Sequence, residues 1–268
     1  MSKRPIIDWE NWLASPPGQY MLRWEEGQYD RTVADIFGYH AVQLGMPVLD
    51  TLRENRMPFG ALALDARSGP HGPRAAETGI APGPQLLCRF DELPFDTQSL
   101  DLVTLPHVLE FSEDPHEVLR EVSRVLMPEG RVVVSCFNPM SLWGARQGLN
   151  RLGADPFLPT DAQSIGFVRI KDWLKLLGFD IIRGRFGCYC PPYRTDRWLQ
   201  RAAFMEKAGD RWWPIFGAVY MLSAVKRVRN IRLVGPAWKT PKAALAPVAA
   251  PVATPNGTHG KSPDEEKT

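Results

Sequence analysis

Cysteine is scarce in this chain. Four residues, Cys88, Cys136, Cys188 and Cys190, are spread over 268. That excludes a disulfide framework and predicts reduced thiols and a cytoplasmic location. Cys188 and Cys190 are two apart, and a metal shared between them is not expected. No other Cys/His spacing fits zinc, and no metal is expected. Long apolar runs are absent as well. Met1-Ser2-Lys3-Arg4-Pro5 is followed by Ile6-Ile7-Asp8-Trp9-Glu10, which lacks the apolar region of a signal peptide. The apolar stretch Trp212–Val225 is fourteen residues long and contains Pro214. A membrane-spanning helix needs about 20 residues. There is no internal repeat. After Leu245 the only large apolar residues are two valines, so residues 236–268 are expected to be disordered.

What is present is an uneven charge distribution on a nearly neutral chain. Arg183–Lys239 holds twelve Lys/Arg against three acids, Asp196, Glu206 and Asp210. The same segment carries Trp198, Trp212, Trp213 and Trp238. Asp91–Glu121, by contrast, is acidic. This asymmetry points to docking against an anion or a peripheral membrane surface, or equally to a solvated basic face whose tryptophans serve the core.

The most informative stretch is residues 91–138. Asp91-Glu92-Leu93-Pro94-Phe95-Asp96 precedes an apolar strand, Leu100–Leu105. Asp114-Pro115 then suits a helix start, with Glu117 three residues past the cap. Val118, Leu119, Val122, Val125 and Leu126 form one apolar stripe. Glu117, Arg120, Glu121 and Arg124 are expected on the wet side. Met127-Pro128-Glu129-Gly130 reads as a tight turn. Arg131–Phe137 is a valine-rich strand suited to cover on both faces. Two buried strands joined by a helix predict a right-handed parallel crossover.

Around this unit the pattern predicts two short helices in residues 1–30, a helix over Thr32–Tyr39, a strand over Ala41–Gly45 and a helix over Val48–Asn55. Strands follow over Ala61–Asp65 and Gln85–Arg89, with a Gly/Pro-rich loop at 66–84. A connector is expected at 139–166, then a helix over Ile170–Leu177, a strand over Phe179–Phe186, a helix over Thr195–Ala208 and a last strand over Ile215–Val225. Domains are drawn at 1–30, 31–235 and 236–268. The repeated strand–helix order predicts an α/β, doubly wound sheet.

The Leu93-Pro94-Phe95 turn, the Pro128-Glu129-Gly130 turn and their separation resemble a class I S-adenosylmethionine-dependent methyltransferase, of the small-molecule type similar to quinone-biosynthesis enzymes. The resemblance spans roughly residues 40–226. It implies a mostly parallel seven-stranded Rossmann-like sheet with helices on both faces, its last strand antiparallel, and S-adenosylmethionine as methyl donor. The family's first loop is rich in glycine. Here the corresponding segment is Gln43-Leu44-Gly45-Met46-Pro47, with a single glycine and a proline that fixes the backbone. Asp65, ending the second strand 20 residues after Gly45, stands where a carboxylate would hold the ribose hydroxyls. It could also simply open a surface loop. Arg89 occupies the family's usual adenine-edge aspartate position. Asp91 could substitute for that aspartate, or Phe90 could stack on the adenine. Pro106-His107 lines the place of the methyl group. His107 is either a general base or a histidine bonded locally at a strand end.

Three functions follow. The first is methyl transfer to a small or apolar acceptor, with Phe157, Phe167, Trp173, Trp198, Trp212 and Trp213 lining its pocket or a membrane-facing surface. The second is a binding module that has lost the donor. The third, ranked last, is nucleic-acid binding through the basic segment.

Overall fold

The computed structural model describes residues 9–66, 83–149, 156–159, 163–202 and 204–227. These fall in one compact unit. Two helices, α1 (Trp9–Ala14) and α2 (Pro16–Val33), precede strands β1 (His40–Leu44), β2 (Phe59–Asp65), β3 (Gln85–Cys88) and β4 (Leu100–Pro106). Helices α3 (Val108–Phe111) and α4 (Pro115–Val125) lead into β5 (Leu126–Phe137). Then come α5 (Leu142–Leu149), α6 (Phe167–Leu176), β6 (Phe179–Gly187), α7 (Asp196–Arg201), α8 (Phe204–Trp212) and β7 (Val219–Lys226). The sheet order is β3-β2-β1-β4-β5-β7-β6. Strands β1 to β5 pair in parallel, and β7 runs antiparallel to both β5 and β6. This is the doubly wound sheet that the sequence predicts, with its antiparallel final strand.

Alternation along the strands splits the core into two layers. Val42, Leu44, Val103, Leu105, Val132 and Val134 face α4 and α6. Ala41, Leu102, Val133 and Phe137 face α1 and α2. The Asp114 side chain caps α4, accepting from His116 N at 2.9 Å and Glu117 N at 3.2 Å. The Met127–Gly130 turn is an excursion within β5. Leu100 pairs Leu126 while Leu102 already pairs Arg131, and Glu129 sits at φ 65°. A side chain on Gly130 would meet Met127 O at 2.8 Å, so only glycine fits there.

Several sequence expectations need correction. The helix expected over Thr32–Tyr39 ends at Val33 as the last turn of α2, which is one long helix and not a short one. The boundary drawn between residues 30 and 31 therefore falls inside α2. Val48–Asn55 forms turns, not a helix. Short polar side chains there bond their own backbone, Asp50 to Leu52 N and Asn55 to Met57 N, each at 3.0 Å. The 139–166 connector contains α5. Thr195–Ala208 breaks into α7 and α8 at Ala202, and the final strand starts at Val219 after a 3₁₀ turn over Pro214–Phe216. Glu121 and Arg124 are not simply on the wet side. Arg124 Nη2 donates to Leu93 O (3.1 Å) and Phe95 O (2.9 Å), and Glu121 accepts from Leu93 N (2.9 Å). The Leu93-Pro94-Phe95 turn is thereby pinned to α4. The loop over 67–82 and the 236–268 tail lie outside the described residues.

The segment after β1 is shaped by one buried side chain. Gln43 Nε2 lies within reach of Gly45 O, Met46 O and Leu49 O, and Gln43 Oε1 accepts from Thr51 N and Thr51 Oγ1. Gly45 and Met46 both adopt left-handed φ, 67° and 48°. Gln43→Leu would leave several buried polar groups unpaired, each costing about 1–3 kcal/mol. The expected loss is about 2–4 kcal/mol in equilibrium urea unfolding with an unchanged slope. A loss below about 1 kcal/mol would contradict this role.

Candidate functional site

The order of strands reverses between β1 and β4, and in open α/β sheets ligands enter at the carboxyl ends beside such a switch. A cleft of about 620 Å³, counting its open mouth, lies at that edge. It is lined by Asp65, Phe90, Asp91, Phe111, Ser112, Glu113, Asp114 and Val118. Three of the sequence-predicted residues, Asp65, Phe90 and Asp91, thus share one cleft. Asp65 pairs in register with Cys88, and burial together with the Asp65 charge pushes the Cys88 thiol up to about 11. Arg89 forms a two-pronged bond with Asp91, at 3.0 Å and 2.8 Å. The two rival adenine-edge positions are therefore one ion pair. Phe90 is nearly buried, and its ring edge lies 3.7 Å from where a Cβ on Gly45 would stand.

The other expected residues do not line this cleft. The Gln43 amide is consumed by its own loop. Met46 is buried against the α1–α2 side of the sheet. Pro106 is paired with Ser135 in the ladder. Sequence reasoning missed Phe111, Ser112, Glu113 and Val118 and read Asp114 only as a cap. The usable signal was positional: these residues directly follow β4, beside the switch in strand order.

His107 lies at the end of β4 in the locally bonded setting that the sequence also allows. It is 1% exposed, and both ring nitrogens face carboxylates. Nδ1 lies 2.5 Å from Glu110 Oε2, and Nε2 lies 3.0 Å from Glu25 Oε1. The Glu25 contact is an ion pair of poor hydrogen-bond angle, and neither Glu25 oxygen has a hydrogen-bond donor among the described residues. Glu110 Oε1 also accepts from Phe137 N at 2.6 Å. Trp9 and Phe137 cover the ring, with centroids 5.4 Å and 4.4 Å away. Burial would lower the histidine pKa, but Glu25 and Glu110 outweigh it and raise it to about 10. Burial pushes the Glu110 carboxyl up, against the opposing pull of His107. With both ring nitrogens facing buried carboxylates, His107 fits the second of its two expected settings, a histidine bonded at a strand end. It ties α2 to the edge of β4.

The sign of the pH effect follows. A raised histidine pKa contributes stability that is full below about 6.5 and is lost as pH climbs to about 10. The raised Glu110 pKa acts in the same direction. Thermal unfolding should therefore show a midpoint falling from pH 6.5 to 10, and falling less in a Glu25→Gln/His107→Gln/Glu110→Gln variant. His107→Gln alone strands two buried carboxylates and should cost about 3–5 kcal/mol. A single variant as stable as the triple would contradict the triad.

The cleft is acidic and flanked by two aromatic rings, Phe90 and Phe111. Residues 73–134 match the methyltransferase-domain family. Over 90 residues the chain is 39% identical to the uncharacterized protein YafS of Escherichia coli strain K12, covering 34% of this chain and 37% of YafS. The chain spans less than half the length of the curated relatives it matches. Among solved structures, a chain in complex with the Haloferax volcanii Trm112 methyltransferase activator is similar, with TM-score 0.56 and 16% identity over 83% of this chain and 97% of that one. A Thermotoga maritima S-adenosylmethionine-dependent methyltransferase aligns with TM-score 0.57 and 15% identity over 82% and 94%. At such identities these likenesses show the fold. The chain has the fold of class I S-adenosylmethionine-dependent methyltransferases, and part of it matches the methyltransferase-domain family.

Proposed function

We propose that this protein transfers a methyl group from S-adenosylmethionine to a small or apolar acceptor. The observation that carries the reading is the meeting of Asp65, Phe90 and Asp91 in one cleft at the switch in strand order. Asp65 would accept from the ribose hydroxyls, as acidic residues do at the end of a second strand. Phe90 would stack on the adenine, and Asp91, already oriented by Arg89, would accept from its amino group. Asp65, Asp91, Glu113 and Asp114 give the cleft a negative field suited to the donor's sulfonium and ammonium charges.

Methyl transfer from a sulfonium needs alignment of acceptor, methyl and sulfur more than proton transfer. The aromatic roof over the ends of β4 and β5 supports an apolar acceptor. Trp9 stands 4.8 Å from Phe111 of the cleft, and Trp12, Phe137, Trp143 and Phe157 continue the cluster. Of the aromatics expected to line a pocket, Phe157 joins this roof. Phe167 packs on Phe186 and Tyr220, Trp173 packs on His116, and Trp198, Trp212 and Trp213 are exposed.

One feature favours a second reading, a binding module that has lost the donor. The stretch between β1 and β2 is a run of turns that Gln43 holds in place, where the resemblance leads one to expect a glycine-rich loop. Calorimetry separates the readings. S-adenosylmethionine and its demethylated product should bind the wild type, and Asp65→Ala should weaken both by about 10- to 100-fold through lost charge-assisted hydrogen bonds. No binding of either ligand at millimolar concentration would favour the module. Equal affinity in wild type and Asp65→Ala would remove Asp65 from the site.

A further inference from the structure

Away from the donor cleft, a second cavity of about 1270 Å³ opens between α2, β6 and α8. Arg23, Gly27 and Arg31 of α2 are spaced by four residues and share a helix face that lines it. Arg183 and Arg185 of β6 are two apart and share a face of the edge strand. Lys207 of α8 completes five cationic side chains, against two carboxylates, Glu206 and Asp210. None of the five cations is in an ion pair among the described residues. Glu206 does not answer them. It accepts from Tyr20 Oη and, at 2.9 Å, from Tyr189 N, and burial pushes its carboxyl pKa up.

The remaining walls are aromatic. Trp24, Phe186 and Tyr189 line the same groove. Trp24 lies directly on the Gly187 backbone, where a Cβ would fall 2.0 Å from the indole. That contact draws α2 against the end of β6. Gly27, by contrast, faces open space, with nothing within 4 Å of the position its Cβ would take. The missing side chain keeps the middle of the groove empty between Arg23 and Arg31.

We propose that this groove is a binding site for a phosphate monoester with an apolar or aromatic body. Guanidinium forks match phosphate oxygens two at a time, and five clustered cations outnumbering two carboxylates favour a dianion. The aromatic wall takes the body of the ligand. The site is independent of donor binding: its residues and those of the donor cleft do not overlap.

The test is calorimetry on the full chain with phenyl phosphate, inorganic phosphate and phosphatidylcholine vesicles containing phosphatidic acid, whose headgroup is a phosphate monoester. Phenyl phosphate is expected to bind at one site per chain, more tightly than inorganic phosphate, and more weakly as salt rises. Gly27→Glu fits the open space and places a carboxylate between the arginines. It should weaken binding by at least about tenfold, a change of about 1.4 kcal/mol. Arg183→Gln/Arg185→Gln should do the same, whereas Arg120→Gln, on α4, should not. Circular dichroism melting of each variant shows whether the fold is kept. Binding confined to vesicles, and lost in Gly27→Glu, would assign the phosphate to a lipid headgroup at this same site. No saturable binding of any probe at millimolar concentration would overturn the proposal. So would equal binding by wild type and a folded Gly27→Glu.

Discussion

An imidazole held between two buried carboxylates joins the N-terminal helix α2 to the end of β4. Glu25 comes from the N-terminal helix α2, His107 from the end of β4, and Glu110 from the helix that follows. Desolvating three ionisable groups is costly, and the arrangement persists because each charge has an opposite neighbour. His107 adds backbone strain, with φ at 54°. Non-glycine residues in this region cost on the order of 1–3 kcal/mol and persist where the surroundings over-determine them. The triad fixes α1 and α2 over the carboxyl edge of the sheet and so builds the aromatic roof beside the donor cleft.

Below that edge, the parallel strands do the positioning. Register places Asp65 beside Cys88, one strand over from the loop that carries Phe90 and Asp91. Glu121 and Arg124 of α4 pin the following turn to the body of the domain. The cleft is thus framed by short connections held by specific hydrogen bonds. The run of turns after β1 belongs to the same logic. Gln43 is nearly inaccessible, and it satisfies backbone groups that a helix would otherwise have paired among themselves.

Much of the fold was legible because its signals are local. Valine-rich strands, the Asp114-Pro115 cap and the two proline turns each declare themselves within a few residues, and the sheet order follows from the resemblance they support. Asp65 and Phe90–Asp91 were legible for the same reason, since each sits at a strand end. The rest depends on contacts distant in sequence. Nothing near His107 signals Glu25, which is 82 positions earlier, so the second carboxylate at its ring could not be read from the motif. Val48–Asn55 shows apolar spacing suited to a helix, yet a glutamine one strand end away captures its backbone. Glu121 and Arg124 look like an exposed helical pair until Leu93 and Phe95 arrive beside them. The basic segment was visible as composition, but its partner face on α2 was not.

The donor cleft is the claim on which the functional account stands. A crystal structure of the protein with S-adenosylhomocysteine addresses it most directly. The account predicts the ribose hydroxyls against the Asp65 carboxylate and the adenine beside Phe90. Ligand bound elsewhere, or a cleft left empty by a saturating concentration of ligand, would contradict it.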